Sequence, residues 1–287
     1  MLKRIATISI TLIGLAVLAS LGAIIYLRSY FSVAEARPVG SLVAEAGAGR
    51  VLGVFAHPDD EQLVTGLFSA AKQADGAFTA MITGTQGEAG KQSPVVARQR
   101  DLGAVRKAEA LKSGFALGLD EQEVWGYPDG GVPSLSLDSI IADISAGIQR
   151  YQPDMIVTFW PASGATGHAD HMRMGLAAEK AVAAVRRSLS SASGYRGPRW
   201  IAYVITPPHG LRSFGGEIGA FVAANQPVAT HAMPGNISAK LRGWKIHASQ
   251  EHFVQAAYGF PDWFLYLLWD QEYYFLVDLD AQKAPSP

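Results

Sequence analysis

Two short stretches of this sequence gather residue types that bind metals and move protons: Ala56-His57-Pro58-Asp59-Asp60-Glu61 and Gly167-His168-Ala169-Asp170-His171. With His57 and Asp60 three positions apart, an imidazole and a carboxylate can face one ion. The plainer reading of the acidic run is a solvated helix start, where Asp and Glu complement the helix dipole and Asp60 acts as a cap. A single histidine in the second stretch would by itself be an ordinary polar residue or a cap. The chain contains no cysteine, so disulfides and thiolate catalysis are excluded and any zinc must be held by His and carboxylate. His57, Asp60 and one of His168 or His171 would supply three protein ligands and leave a fourth position open, the arrangement of a catalytic zinc.

The elements that must position these stretches follow from hydrophobic periodicity. Val51–Phe55 reads as a strand running into the first stretch, followed by a helix over 61–74. Ala77–Ile82 reads as a strand, 96–117 as a helix, Glu123–Gly126 as a strand and Leu137–Tyr151 as a helix. Met155–Phe159 is a strand running into the second stretch, 170–188 a helix and Trp200–Ile205 a strand. Ile237–Tyr258 has helical spacing and Tyr273–Val277 reads as a final strand. Alternation at these lengths predicts an α/β fold, a Rossmann-like, mostly parallel sheet with helices on both faces. Both chemical stretches then fall at carboxyl ends of strands, where such folds take ligands. No G-x-G-x-x-G follows the first strand, which speaks against a dinucleotide site.

Of the 287 residues 49% are hydrophobic and 17% charged, ordinary for one globular domain with a short appendage. Lys and Arg total 24 against 25 Asp and Glu, and no basic stripe of the kind that binds nucleic acid is present. The appendage is N-terminal. Ile5 to Leu27 carries no charge over 23 residues, long enough as a helix to cross the roughly 30 Å hydrocarbon core. Lys3 and Arg4 precede it and only Arg28 follows closely, which predicts a cytoplasmic N-terminus and a membrane-anchored, extracytoplasmic domain. Cleavage as a signal at Ala34-Glu35-Ala36 is the rival, disfavoured by the length of the run. The predicted organisation is an anchor over 1–28, a tether over 29–48, a catalytic domain over 49–280 and a flexible tail over 281–287.

His57-Pro58-Asp59-Asp60-Glu61 and Gly167-His168-Ala169-Asp170-His171, in this order and about a hundred residues apart, resemble the two motifs of the PIG-L/LmbE-like zinc-dependent N-acetylglucosamine de-N-acetylases. Gly87-Glu88, Arg106-x-x-Glu109, Pro128-Asp129-Gly130 and His247-x-Ser249-Gln250 extend the similarity. The resemblance implies a hydrolase that removes the N-acetyl group from an amino-sugar conjugate, with His57, Asp60 and His171 holding Zn2+, or Fe2+ or Co2+ in its place. It implies further that Asp59 is the general base and that His168 faces the oxyanion. Asp170 would keep His168 protonated and oriented, or cap a helix. Glu88, Arg106 and Asp129 fall at substrate-contacting positions, although Arg106 could equally pair with Glu109 or Asp101, Asp129 form a turn, and Glu88 belong to a mere glycine-rich loop. Some members carry tyrosine where this chain has Thr166, which is too short to make the same substrate contact.

Overall fold

The computed structural model describes residues 2–188 and 194–281. Among the described residues eight strands form one sheet in the order β1-β7-β8-β6-β5-β2-β3-β4. They are β1 Arg37–Pro38, β2 Arg50–Phe55, β3 Phe78–Thr85, β4 Glu121–Tyr127, β5 Met155–Phe159, β6 Trp200–Ile205, β7 His231–Pro234 and β8 Gln271–Asp278. Only β8 runs antiparallel, between β6 and β7. The larger helices are α1 Leu2–Arg28, α3 Thr65–Gln73, α4 Leu102–Leu117, α5 Leu137–Tyr151, α6 Ala169–Ser188 and α9 Ile237–Ile246. Short helices fill the connections: α2 Leu42–Ala46, α7 Pro208–Phe214, α8 Gly216–Ala224, α10 Phe253–Tyr258 and α11 Asp262–Leu268. Helices α5 and α6 pack together on one face of the sheet, while α3, α4 and α9 pack together on the other.

The central strands are apolar on both faces, as strands covered twice must be. Val51, Leu52, Val54 and Phe55 of β2 and Met155, Ile156, Val157 and Phe159 of β5 are all buried. From β2 the chain proceeds outward to β3 and β4, then returns to β5 and proceeds the other way to β6. The switch point therefore lies between the carboxyl ends of β2 and β5, which carry the two chemical stretches.

Three sequence expectations change. The segment 29–48, predicted as a tether, is built into the domain: Phe31, Val33, Ala36, Leu42 and Val43 are buried, and Ser41 caps α2. Its apolar residues are too widely spaced to show a period, yet each lands on the domain surface. The helix predicted over 96–117 starts at Leu102, after a 3-10 turn over Gln99–Asp101. The helix predicted over 237–258 breaks at His247, whose imidazole turns inward to Glu61 while the Ser249 amide and hydroxyl donate to Glu109. Apart from Ala281, the predicted tail lies outside the described residues.

A buried ion pair ties the last strand to the connection between β2 and α3. Lys240 donates to the carbonyl of Gln62 at 2.9 Å and meets Glu272 at 2.9 Å. Glu272 accepts in turn from the amides of Gly66 and Leu67 at the start of α3. Those bonds satisfy the helix's free N–H groups and offset the cost of burying a carboxylate.

Candidate metal centre

The loop after β2 turns back on itself through Asp60. One of its carboxylate oxygens, Oδ2, accepts from the amides of Ala56 and His57 at 3.0 and 2.7 Å, leaving Oδ1 to face His171 Nε2 at 3.1 Å. His57 Nδ1 lies 2.9 Å from the same His171 Nε2. Both rings are fixed from behind. His171 Nδ1 donates to the Gly164 carbonyl, sharing the proton with the Thr166 hydroxyl, each at 2.9 Å, and its ring stacks on Phe159. His57 Nε2 points between carboxylate oxygens of Asp129 and Asp170, each 3.1 Å away. A proton on the outer nitrogen of each ring leaves the inner nitrogen with a lone pair.

Three acceptors therefore converge: His171 Nε2 lies 2.9 Å from His57 Nδ1 and 3.1 Å from Asp60 Oδ1, while His57 Nδ1 comes within 3.9 Å of the Asp60 carboxylate, at Oδ2. Such a set is repulsive without a cation. Ligand atoms on a tetrahedral ion bound at about 2.0–2.2 Å stand roughly 3.4 Å apart, between the two shorter separations and the longer one here. The donor set thus fits a divalent metal. Burial opposes charge on His57, but its bonds to Asp129 and Asp170 and the charge of Asp60 raise its pKa to about 10. Burial likewise disfavours the Asp60 anion, yet His171 and His57 hold it well below the usual carboxylate range. Two other groupings place their ligand atoms within 4.8 Å of one another, His57 with His168 and His171, and His57 with Asp129 and Asp170.

Asp59 sits beside this set in a left-handed conformation, φ 94°, which a non-glycine residue adopts only when its surroundings enforce it. Its amide donates to Glu61 Oε2 at 3.0 Å, its carbonyl accepts from Gln62, and its carboxylate meets the Arg106 guanidinium at 3.0 Å. Glu61 is itself held by His247 from below. Burial raises the Asp59 pKa and Arg106 partly offsets the rise.

The remaining candidates make contacts that their residue types did not foretell. Asp170 neither orients His168 nor caps α6: its carboxylate accepts from His57 Nε2 and from the Gly130 amide, and only its backbone amide meets His168, at Nδ1, 3.2 Å. An Nδ1 that accepts a bond cannot carry a proton, and burial together with the charge of His57 and His171 lowers the pKa of His168. His168 is therefore a neutral, exposed Nε2–H donor, not a standing cation. Arg106 is 4% exposed and spends its guanidinium on Asp59 and the carbonyls of Pro58 and Gly87. Gly87 is a glycine because φ is +68° and a Cβ would lie 2.3 Å from Arg106 Nη1. Asp129 divides its carboxylate between His57 and the Ala89 amide, and Glu88 accepts from the Asp129 amide. All three support the site from within, and Thr166 contacts His171.

Glu61, His247, Glu109 and Ser249 form a buried layer beneath Asp59 to which sequence reading assigned no role. Glu61 stood in the acidic run, but its partner lies 186 positions away.

Residues 52–182 match the model of the PIG-L family, described as GlcNAc-PI de-N-acetylase. Over 160 residues the chain is 32% identical to the 1D-myo-inositol 2-acetamido-2-deoxy-alpha-D-glucopyranoside deacetylase of Saccharomonospora viridis, covering 48% of this chain and 58% of that one. It is 31% identical to the probable N-acetyl-alpha-D-glucosaminyl L-malate deacetylase 2 of Bacillus cereus, covering 46% and 60%. The chain thus spans somewhat under two thirds of the length of these two relatives. The fold is that of N,N'-diacetylchitobiose deacetylase from Pyrococcus horikoshii, at TM-score 0.61 and 20% identity over 85% of this chain and 90% of that one.

Proposed function

From the premise that the chain carries a PIG-L family domain, we propose that it is a zinc-dependent N-deacetylase that frees acetate and an amino sugar from an N-acetylglucosamine conjugate. The observation that carries this reading is the convergence of His57 Nδ1, His171 Nε2 and Asp60 Oδ1, a set that calls for a cation. The named relatives differ in what the sugar is attached to and share the 2-acetamido-glucose unit, so the acetamide is the part the chemistry addresses.

His57, Asp60 and His171 would hold the metal, which when bound acidifies a water and polarises the amide carbonyl. Asp59, held by Arg106 and Glu61 at the edge of the ligand set, takes the proton of the attacking water. It later returns that proton to the departing nitrogen, so one carboxyl serves as base and then acid. His168 donates its Nε2–H to the oxygen that gains charge as the carbonyl becomes tetrahedral. Asp129 and Asp170 keep the His57 proton on Nε2. The full chain in detergent, loaded with zinc and given N-acetylglucosaminides of inositol, malate and a lipid, should release acetate and primary amine in equal amounts. Release from a simple non-sugar amide but from none of the sugars would overturn the substrate class.

Activity should rise with pH as Asp59 loses its proton. Because Arg106 lowers the Asp59 pKa, Arg106→Met should move the acid limb of the kcat/KM profile to higher pH. An unmoved limb would remove Asp59 as the titrating base.

Helix α1 and the 3-10 turn Ser29–Phe31 that continues it provide a 23-residue span, Ser9–Phe31, long and apolar enough to cross a membrane. We read it as an uncleaved anchor with the domain outside the cytoplasm, since Lys3 and Arg4 lead the span. Protease added to intact cells should then digest the domain, and full protection until lysis would reverse the orientation.

A further inference from the structure

The apolar span of α1 enters the domain with no hydrophilic spacer. Phe31, its last residue, is 3% exposed and buried in a cluster with Trp244, Leu265 and Leu268, against which Ile24 and Leu27 also pack. At the end of α1, Arg28 donates to the Leu267 carbonyl at 3.1 Å and pairs with Asp270. Helix α11 is thus fixed against the last two turns of the span, while Ile25 and Tyr26 on the same turns stay exposed. The outward face of α11 is Trp263 and Leu267, one helical turn apart and 58% and 39% exposed. From Phe253 to Trp269 the only charged residue is Asp262.

Resting on the reading of α1 as a membrane anchor, we propose that α11 is a second membrane contact, with Trp263 and Leu267 seated at the headgroup–acyl boundary of the bilayer that α1 crosses. A helix held beside residues of the span cannot stand clear of the membrane surface. Aromatic side chains are favoured at that boundary, where an apolar ring is buried and its polar edge stays wet. Leu267 adds area that water would otherwise cover. With the anchor and α11 both engaged, the domain is held at one fixed tilt and does not swing on a leash, which explains why 29–48 is packed.

Because the chain has no cysteine, single substitutions can be labelled without other changes. Trp263→Cys, Leu267→Cys, Leu18→Cys in the middle of the span and Lys180→Cys on α6 would each carry a nitroxide in the full-length protein. The proteins are reconstituted in phosphatidylcholine–phosphatidylglycerol vesicles, and collisions with oxygen and with a water-soluble nickel chelate are compared. Labels at 18, 263 and 267 should favour oxygen, 18 most strongly, and the label at 180 should favour nickel. Oxygen preference at 18 with nickel preference at 263 and 267 would overturn the second contact and leave the anchor. Shielding of 263 and 267 from both reagents would also overturn it, in favour of a protein partner. Nickel preference at 18 would overturn the anchor reading and this proposal with it.

Discussion

Asp59→Asn should bind metal as the unaltered protein does and turn over about two to four orders of magnitude more slowly, the usual worth of general acid–base help. Asparagine is the informative replacement. It tolerates the left-handed backbone at φ 94°, where alanine would add strain, and its amide oxygen can still accept from Arg106. Only the ability to take up a proton is removed. The metal should remain because Asp59 is not among the converging acceptors: its carboxylate is turned to Arg106, while that of Asp60 faces His171. Metal content and kcat measured on one preparation decide the matter. Loss of metal would mean that the two aspartates exchange roles.

The two histidines of the second motif should behave differently when removed. On the proposed ligand set, His171→Ala deletes one of three ligands, and activity should return only at high added zinc. His171 has its outer nitrogen fixed by Gly164 and Thr166 and its inner nitrogen within 3.1 Å of both His57 and Asp60. His168 is exposed, and its Nδ1 is occupied by the Asp170 amide. His168→Ala should keep its metal and lose about two to three orders of magnitude in kcat, as for a deleted oxyanion donor. Comparable metal loss in both variants would make His57, His168 and His171 the ligand set.

Much of the sheet was legible because the central strands are continuous apolar runs separated by periodic helices, and the two motifs announce themselves by residue type. Strands β1 and β7 were not, being two and four residues long and each containing a proline. Within the site, the meeting of His57, Asp60 and His171 follows from placing two strand ends side by side. What Arg106, Asp129, Asp170 and Glu88 do could not be read, because the partner a side chain meets on a separate element leaves no period in the sequence. A buried arginine and a surface arginine look alike until the carbonyls of Pro58 and Gly87 are seen around the guanidinium. The same holds for Glu61 and His247, whose pairing depends on the helix break at His247.

The most direct test is a titration of the metal-stripped full chain with zinc, recording bound metal and acetate released from an N-acetylglucosamine conjugate in the same samples. Both should rise together and level off at one metal per chain, with neither signal moving in the triple variant His57→Ala, Asp60→Ala, His171→Ala. Acetate released before any metal is added, or a full complement of bound metal without acetate, would contradict a catalytic metal centre at this site.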